Sequence, residues 1–247
     1  MEQRKIFVVV VVGLVVSALA CSTGGIGLGG GVQGSGNVVE EEFEATNFTG
    51  VSLETIGNLY VEMGSEESLT VEADDNLIEY FEVEVDEGLL TIAGRPGANL
   101  QPAGPVNFYL TAEDLDTVRL AGSGDIELPD LTADEFAVML EGSGDVEMGG
   151  LQATRLEVNL SGSGDLDVAS GWVDEQVIEI GGSGKYDARD LQSGTTEVSI
   201  SGSGSATVWA VNSLAVSISG SGSVRYAGSP NLDKLTVSGS GSVEQIN

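Results

Sequence analysis

The sequence predicts an all-β fold: a right-handed parallel β-helix or solenoid with about 20-residue Gly-Ser-Gly repeats and an irregular N-terminal β cap. Three observations predict it. Gly-Ser-Gly begins at Gly122, Gly142, Gly162, Gly182, Gly202, Gly220 and Gly239, in steps of 20, 20, 20, 20, 18 and 19 residues. Apolar residues keep constant, even offsets from each first glycine. Two before it stand Leu120, Leu140, Leu160, Ile180, Ile200, Ile218 and Val237, and four before it Val118, Val138, Val158, Ile178, Val198, Val216 and Leu235. Four after it come Ile126, Val146, Leu166, Tyr186, Ala206, Val224 and Val243. Even offsets are the period-two mark of strands with one buried face. Finally, glycine is abundant, at 36 of 247 residues, while aromatics are only 5%. That balance suits a narrow aliphatic core turned at small corners.

The N-terminus reads as an export signal. Arg4 and Lys5 precede an apolar run from Ile6 to Val16, and small residues then lead to Cys21. A run of eleven residues is well short of the ~20 that a membrane-spanning helix needs, so residues 1–20 are assigned to a cleaved signal peptide. Ala18-Leu19-Ala20-Cys21 resembles the lipobox of bacterial lipoproteins, which implies acylation of Cys21 and anchoring of the mature chain in a membrane. Residues 21–42 hold the lipidated cysteine and a flexible tether, with eight glycines between Ser22 and Glu42 and no periodic pattern.

A single β-solenoid domain is expected over 43–247, with an N-terminal β segment at 43–110 and the repeats at 111–247. Within the first part, strands are predicted at Val51–Leu53, Leu59–Val61, Leu69–Val71, Phe81–Val85, Leu89–Ile92 and Val106–Leu110. Asp86-Glu87-Gly88 suits a tight hairpin between two of them. In the second part each unit is two short strands meeting at a Gly-Ser-Gly corner. Stacking the units lines up equivalent apolar residues in ladders. A propeller blade takes about 40 residues, too many for this period, and an antiparallel sandwich has no need of constant spacing. No polar capping segment precedes Asn247, so the last strand is expected to present an open pairing edge.

Several stretches resemble a known family. Phe48-Thr49-Gly50-Val51, Ile56-Gly57-Asn58-Leu59-Tyr60-Val61, Asp86-Glu87-Gly88-Leu89-Leu90-Thr91-Ile92 and Leu120-Ala121-Gly122-Ser123-Gly124-Asp125 are similar to the "putative autotransporter-adhesin, head GIN domain" proteins of bacterial envelopes. The resemblance covers residues 44 to 247. It implies a β-helical surface or periplasmic domain and carries over no catalytic residues.

Charge narrows the chemistry. The formal net charge is -30, from 9 Lys+Arg against 39 Asp+Glu, with no histidine. A chain this acidic repels phosphate backbones, so no nucleic-acid partner is expected. Without histidine there is neither a Ser-His-Asp arrangement nor a His-ligated metal, and the single cysteine excludes cysteine-cluster zinc. The acid is unevenly spread: sixteen acidic residues lie between Ser22 and Arg95, with no basic residue before Arg95. From Ser201 onward Asp233 and Glu244 are balanced by Arg225 and Lys234. An acidic base and a near-neutral tip suit a domain held off an anionic membrane with its contact surface at the far end.

Asp125, Asp145 and Asp165 share one position in three successive units. Stacked, they offer hard oxygens for a calcium ladder. The favoured reading is that they accept corner backbone amides, because Lys185 takes the next position and Ser205, Ser223 and Ser242 follow. No metal or other cofactor is therefore predicted. The corner serines lack a base other than Lys185 or Lys234. The sequons Asn47-Phe48-Thr49 and Asn159-Leu160-Ser161 read as chance matches. The candidate binding platform is Trp172, Tyr186, Trp209 and Tyr226, of which at least two are expected to pack the core or turns. The function expected is an exported, lipid-anchored, non-enzymatic solenoid of the bacterial cell envelope for adhesion, scaffolding or partner binding, with an envelope protein or a glycan as partner. The alternative is a carbohydrate-active β-helix enzyme using paired carboxylates.

Overall fold

The computed structural model describes residues 31–246. The signal segment and Cys21 lie outside the described residues. Within them the chain is a parallel β-solenoid built on three inward ladders. One runs Ile92–Leu53–Leu120–Leu140–Leu160–Ile180–Ile200–Ile218–Val237. Its neighbour runs Leu90–Val51–Val118–Val138–Val158–Ile178–Val198–Val216–Leu235. On another wall lies Phe108–Leu59–Ile126–Val146–Leu166–Tyr186–Ala206–Val224–Val243. Nine rungs span eight strand spacings, about 38 Å. Pairing between Val146–Leu160 and the next coil breaks at Gly149 and Thr154, so each full coil has three straight runs and a triangular outline.

The seven sequence repeats supply only the last seven rungs. The first two come from the segment without a period, whose Leu89–Gly94 and Asn107–Ala112 strands lie beneath Gly50–Glu54 and Asn58–Met63. Antiparallel strands then close this end. Phe81–Asp86 pairs with Leu89–Gly94, and Ser68–Asp74 pairs with Asn107–Ala112. Phe81 packs edge-on against Phe108 at 5.2 Å between ring centroids, and the first-rung residues Leu90, Ile92 and Phe108 are fully buried. The hairpin at Glu87 and Gly88 has φ of 50° and 86°, the left-handed pair that a two-residue hairpin turn needs.

One boundary needs correction. Residues 31–42, assigned above to the tether, belong to the folded body. Val32–Gln33 pairs with Leu100–Gln101, and Val38–Phe43 pairs antiparallel with Ser68–Asp74. This second strand lies on the outside of the cap with Val38 and Val39 exposed, so an acidic, weakly alternating sequence is tolerated there.

The corner glycines are required by close stacking. A Cβ on Gly142, Gly162, Gly182 or Gly202 would stand 1.9 to 2.2 Å from the carbonyl oxygen of the corner glycine one coil earlier. That same oxygen accepts the next serine amide, as in Ser163 N–H to Gly142 O at 3.1 Å and Ser203 N–H to Gly182 O at 3.1 Å. The backbones thus approach too closely for any side chain. Inside the column, the aliphatic lining is interrupted by Gln176, Ser193 and Thr196, all fully buried. Gln176 Nε2 donates to the Tyr186 hydroxyl at 2.6 Å, and Ser193 Oγ is hydrogen-bonded to Thr196 Oγ1.

Candidate functional site

The fold turns every second strand residue outward and so displays a row of side chains on each flat wall. The aspartate ladder sits beside the corners. Asp125 Oδ1 accepts the Asp145 amide at 2.9 Å, Asp145 Oδ1 the Asp165 amide at 2.8 Å, and Asp165 Oδ1 the Lys185 amide at 2.8 Å. Each carboxylate ties one coil to the next. Asp125 and Asp145 also line a hollow of about 200 Å³ with Asn58, Tyr60, Glu127 and Glu147. Glu127 and Glu147 are register partners on adjacent strands, so both project side by side from one wall. Among the described residues no group of three or more Cys, His, Asp or Glu converges as a metal site.

Lys185 does not reach toward Asp165 with its ammonium. Its Nζ lies 3.0 Å from Asp187 and 3.4 Å from Asp167, so it is bound by carboxylates and unsuited to act as a base. Arg189 closes on the same Asp187 at 2.5 Å. The Arg189 hydrogen bonds hold the Asp187 carboxyl down at about 2, against its desolvation and with help from Lys185. Across the column, a groove of about 520 Å³ is lined by Asp116, Asp134, Glu135, Arg155 and Glu157 beside Met63. Arg155 is paired there with Glu175 and Glu157.

The four-residue aromatic platform divides. Tyr186 is fully buried, and Tyr226 is only 9% exposed; both occupy inward ladder positions, and burial pushes the Tyr186 phenol up. They form no part of a surface. Trp172 is 42% exposed, and its indole Nε1 donates to Asp174 at 3.1 Å. Trp209 is half-buried. The register places them on one row: Trp172 pairs with Gln192, and Gln192 pairs with Trp209. Two tryptophans therefore stand two strand spacings apart, about 9.6 Å, with a glutamine between them. Gln152 extends the row on the other side of Trp172. Neither tryptophan lines the two hollows described above.

A second exposed aromatic pair escaped the sequence reading. Tyr60 and Tyr109 are register partners whose rings stack at 5.5 Å and 18°. The Tyr109 hydroxyl donates to Glu72 at 3.1 Å. The signal was present: each tyrosine sits between two apolar residues, in Leu59-Tyr60-Val61 and Phe108-Tyr109-Leu110, and so holds the outward parity.

A family model described as "Putative auto-transporter adhesin, head GIN domain" matches residues 47–230. The chain belongs to this family. Solved structures agree with the head GIN assignment. One described as a putative adhesin from Bacteroides fragilis superposes with a TM-score of 0.83 at 25% identity, over 87% of this chain and all of that one (100%). A putative adhesin from Parabacteroides distasonis gives 0.70 at 21% identity, over 88% of this chain and 100% of that one, and supports the fold alone. A protein from the same species described as a putative lipid binding protein gives 0.68 at 25% identity, over 87% and 99%. No curated protein matches the chain.

Proposed function

We propose that this head GIN domain is an exported, lipid-anchored, non-enzymatic adhesion module of the bacterial cell envelope that binds a glycan through the Trp172–Gln192–Trp209 row. The row itself carries the reading. Indole faces cover the C–H faces of sugar rings, and their separation of about 9.6 Å matches alternate residues of an extended oligosaccharide. Gln152 and Gln192 supply amide donors and acceptors for the hydroxyls between. Enzymatic cleavage is less well supported, because a glycosidase needs its two carboxyl groups on either side of the scissile bond. Here neither tryptophan lines the hollows in which the wall carboxylates gather. In a glycan array, the double change Trp172→Ala and Trp209→Ala is expected to weaken binding tenfold or more while the melting temperature holds. Unchanged binding would discard the row, and release of sugar products would overturn the non-enzymatic reading.

The anchor rests on Cys21 and the segment before it. Among the described residues no helix is long and apolar enough to cross a membrane. Mass spectrometry of the mature N-terminus is expected to find acylated Cys21, and Cys21→Ser to leave the protein in the soluble fraction. An unmodified cysteine would remove lipid anchoring from the proposal.

A further inference from the structure

The last described coil leaves the core open. Val216 and Ile218 are 1% exposed, yet the residues that continue their ladders are not covered, while Val243, which continues the ladder of Val224, is half-buried. Leu235 is 51% exposed and Val237 42%; Leu232, which continues the fully buried Leu214, is 49% exposed. Every residue of the Asn231–Gly239 strand is exposed. The strand pairs along one edge with Ser205–Gly220, and Ser242–Gln245 pairs with Ser223–Ala227. An apolar face bordered by strand edges with further amide and carbonyl groups to offer is a pairing surface.

The opposite end is a poorer complement: its outer strands, Val38–Phe43 and Phe81–Asp86, are each paired along one side only, but together they carry six carboxylates and no base. There the first rung is fully buried beneath the antiparallel strands Ser68–Asp74 and Phe81–Asp86. Head-to-tail stacking is therefore disfavoured, and a two-fold, self-complementary contact fits better. Charge favours it. The chain carries -30 overall, but Ser201–Asn247 balances Asp233 and Glu244 against Arg225 and Lys234. Two copies repel when acidic walls meet and do not when these ends meet.

We propose that two copies of this chain join end to end through their last coils. A two-fold axis across the column sets the two Asn231–Gly239 edges antiparallel, buries Leu232, Leu235 and Val237 against their counterparts, and extends the sheet across the contact. The dimer closes because each chain has only one such end.

The test is sedimentation of the purified full chain in detergent at tens of micromolar, beside Leu235→Asp and Val237→Asp. The wild type is expected at twice the mass of one chain. Either variant is expected to fall to half that mass with an unchanged circular dichroism spectrum, since both side chains are exposed in the single copy. Hydrogen exchange should show the 231–239 amides protected in the wild type and losing that protection on dilution. A wild-type protein at the mass of one chain overturns the proposal, whatever the variants do. A dimer that survives both substitutions also overturns it, because the contact then lies elsewhere.

Discussion

Gly182→Ala is expected to lower the melting temperature by roughly 10 °C or more, whereas Gly181→Ala one residue earlier is expected to match or slightly exceed the wild type. A Cβ at Gly182 would stand 1.9 Å from Gly162 O and 2.7 Å from Ser161 O, both backbone atoms of the previous coil. Relief requires two coils to part. That removes the Ser183 N–H to Gly162 O bond and loosens the packing of Leu160 on Ile180. A backbone clash of this kind costs about 3 kcal/mol or more, which in a chain of this size is roughly 10 °C. At Gly181 the nearest atom to a new Cβ is Ser201 Oγ at 3.8 Å, and its φ is not in the left-handed region. Alanine there reduces the freedom of the unfolded chain, a gain of about 0.4–1 kcal/mol. Thermal melts of the two variants decide the matter. Equal melting would mean that the corners are not held by close stacking.

Asp74→Ala is expected to free the N-terminal segment from the cap. The Asp74 side chain is fully buried and accepts three backbone amides: Gly36 at 2.7 Å, Ala103 at 2.8 Å and Gly104 at 3.3 Å. Beside it, Asp75 accepts Ser35 Oγ at 2.6 Å and Asn37 Nδ2 at 2.9 Å. Two carboxylates thus fasten residues 34–37 to the cap. Removing Asp74 strands three donors away from water. Exchange of the Gly36 and Ala103 amides is expected to rise by a factor on the order of 100, with a protease site opening near residues 34–37. The repeats should keep their protection, since rungs farther along share no contact with this acid. Unchanged exchange at both amides would refute the clasp. Acid should imitate the substitution. Burial pushes the Asp74 carboxyl up, but the three amides outweigh it and hold the group below its ordinary value. Its contribution is therefore complete above the usual carboxylate pKa of about 3.9 and is lost as pH falls through the lower folded value.

The repeats were legible because their period, parity and glycine positions all state the same thing. Leu140, Leu160 and Ile180 announce their ladder by spacing alone. The Val38–Phe43 strand was hidden because it lies outside the cap, where Glu40, Glu41 and Glu42 need no burial and an acidic run looks like solvated chain. Asp74 was hidden for a related reason. A carboxylate buried by three amides from two distant loops has no local pattern. Tyr186 and Tyr226 had the parity of the core, yet a phenol suggests a surface; Gln176, on the same interior, provides the polar partner that lets Tyr186 stay inside. The Trp172–Trp209 row needed the register shift between Ala188 and Gln192, which brings Trp209 level with Gln192. Sequence spacing alone, at 37 residues, does not put the two on one line.

That register shift has a wider consequence. The coil holding Trp209 is two residues shorter than the one before it: three are lost between Ala188 and Gln192, and one is regained between Ser193 and Thr195. The corner after it still stacks, with Gly220 over Gly202. Each change of length is absorbed before the next corner, and Gly239 again stacks over Gly220. Whole coils obey the same logic, since each one meets only its two neighbours. Duplication or loss of a twenty-residue stretch changes the height of the column by one step of about 4.8 Å and leaves both ends chemically as they were. Within this architecture, how far the molecule projects can evolve independently of what lies at its tip.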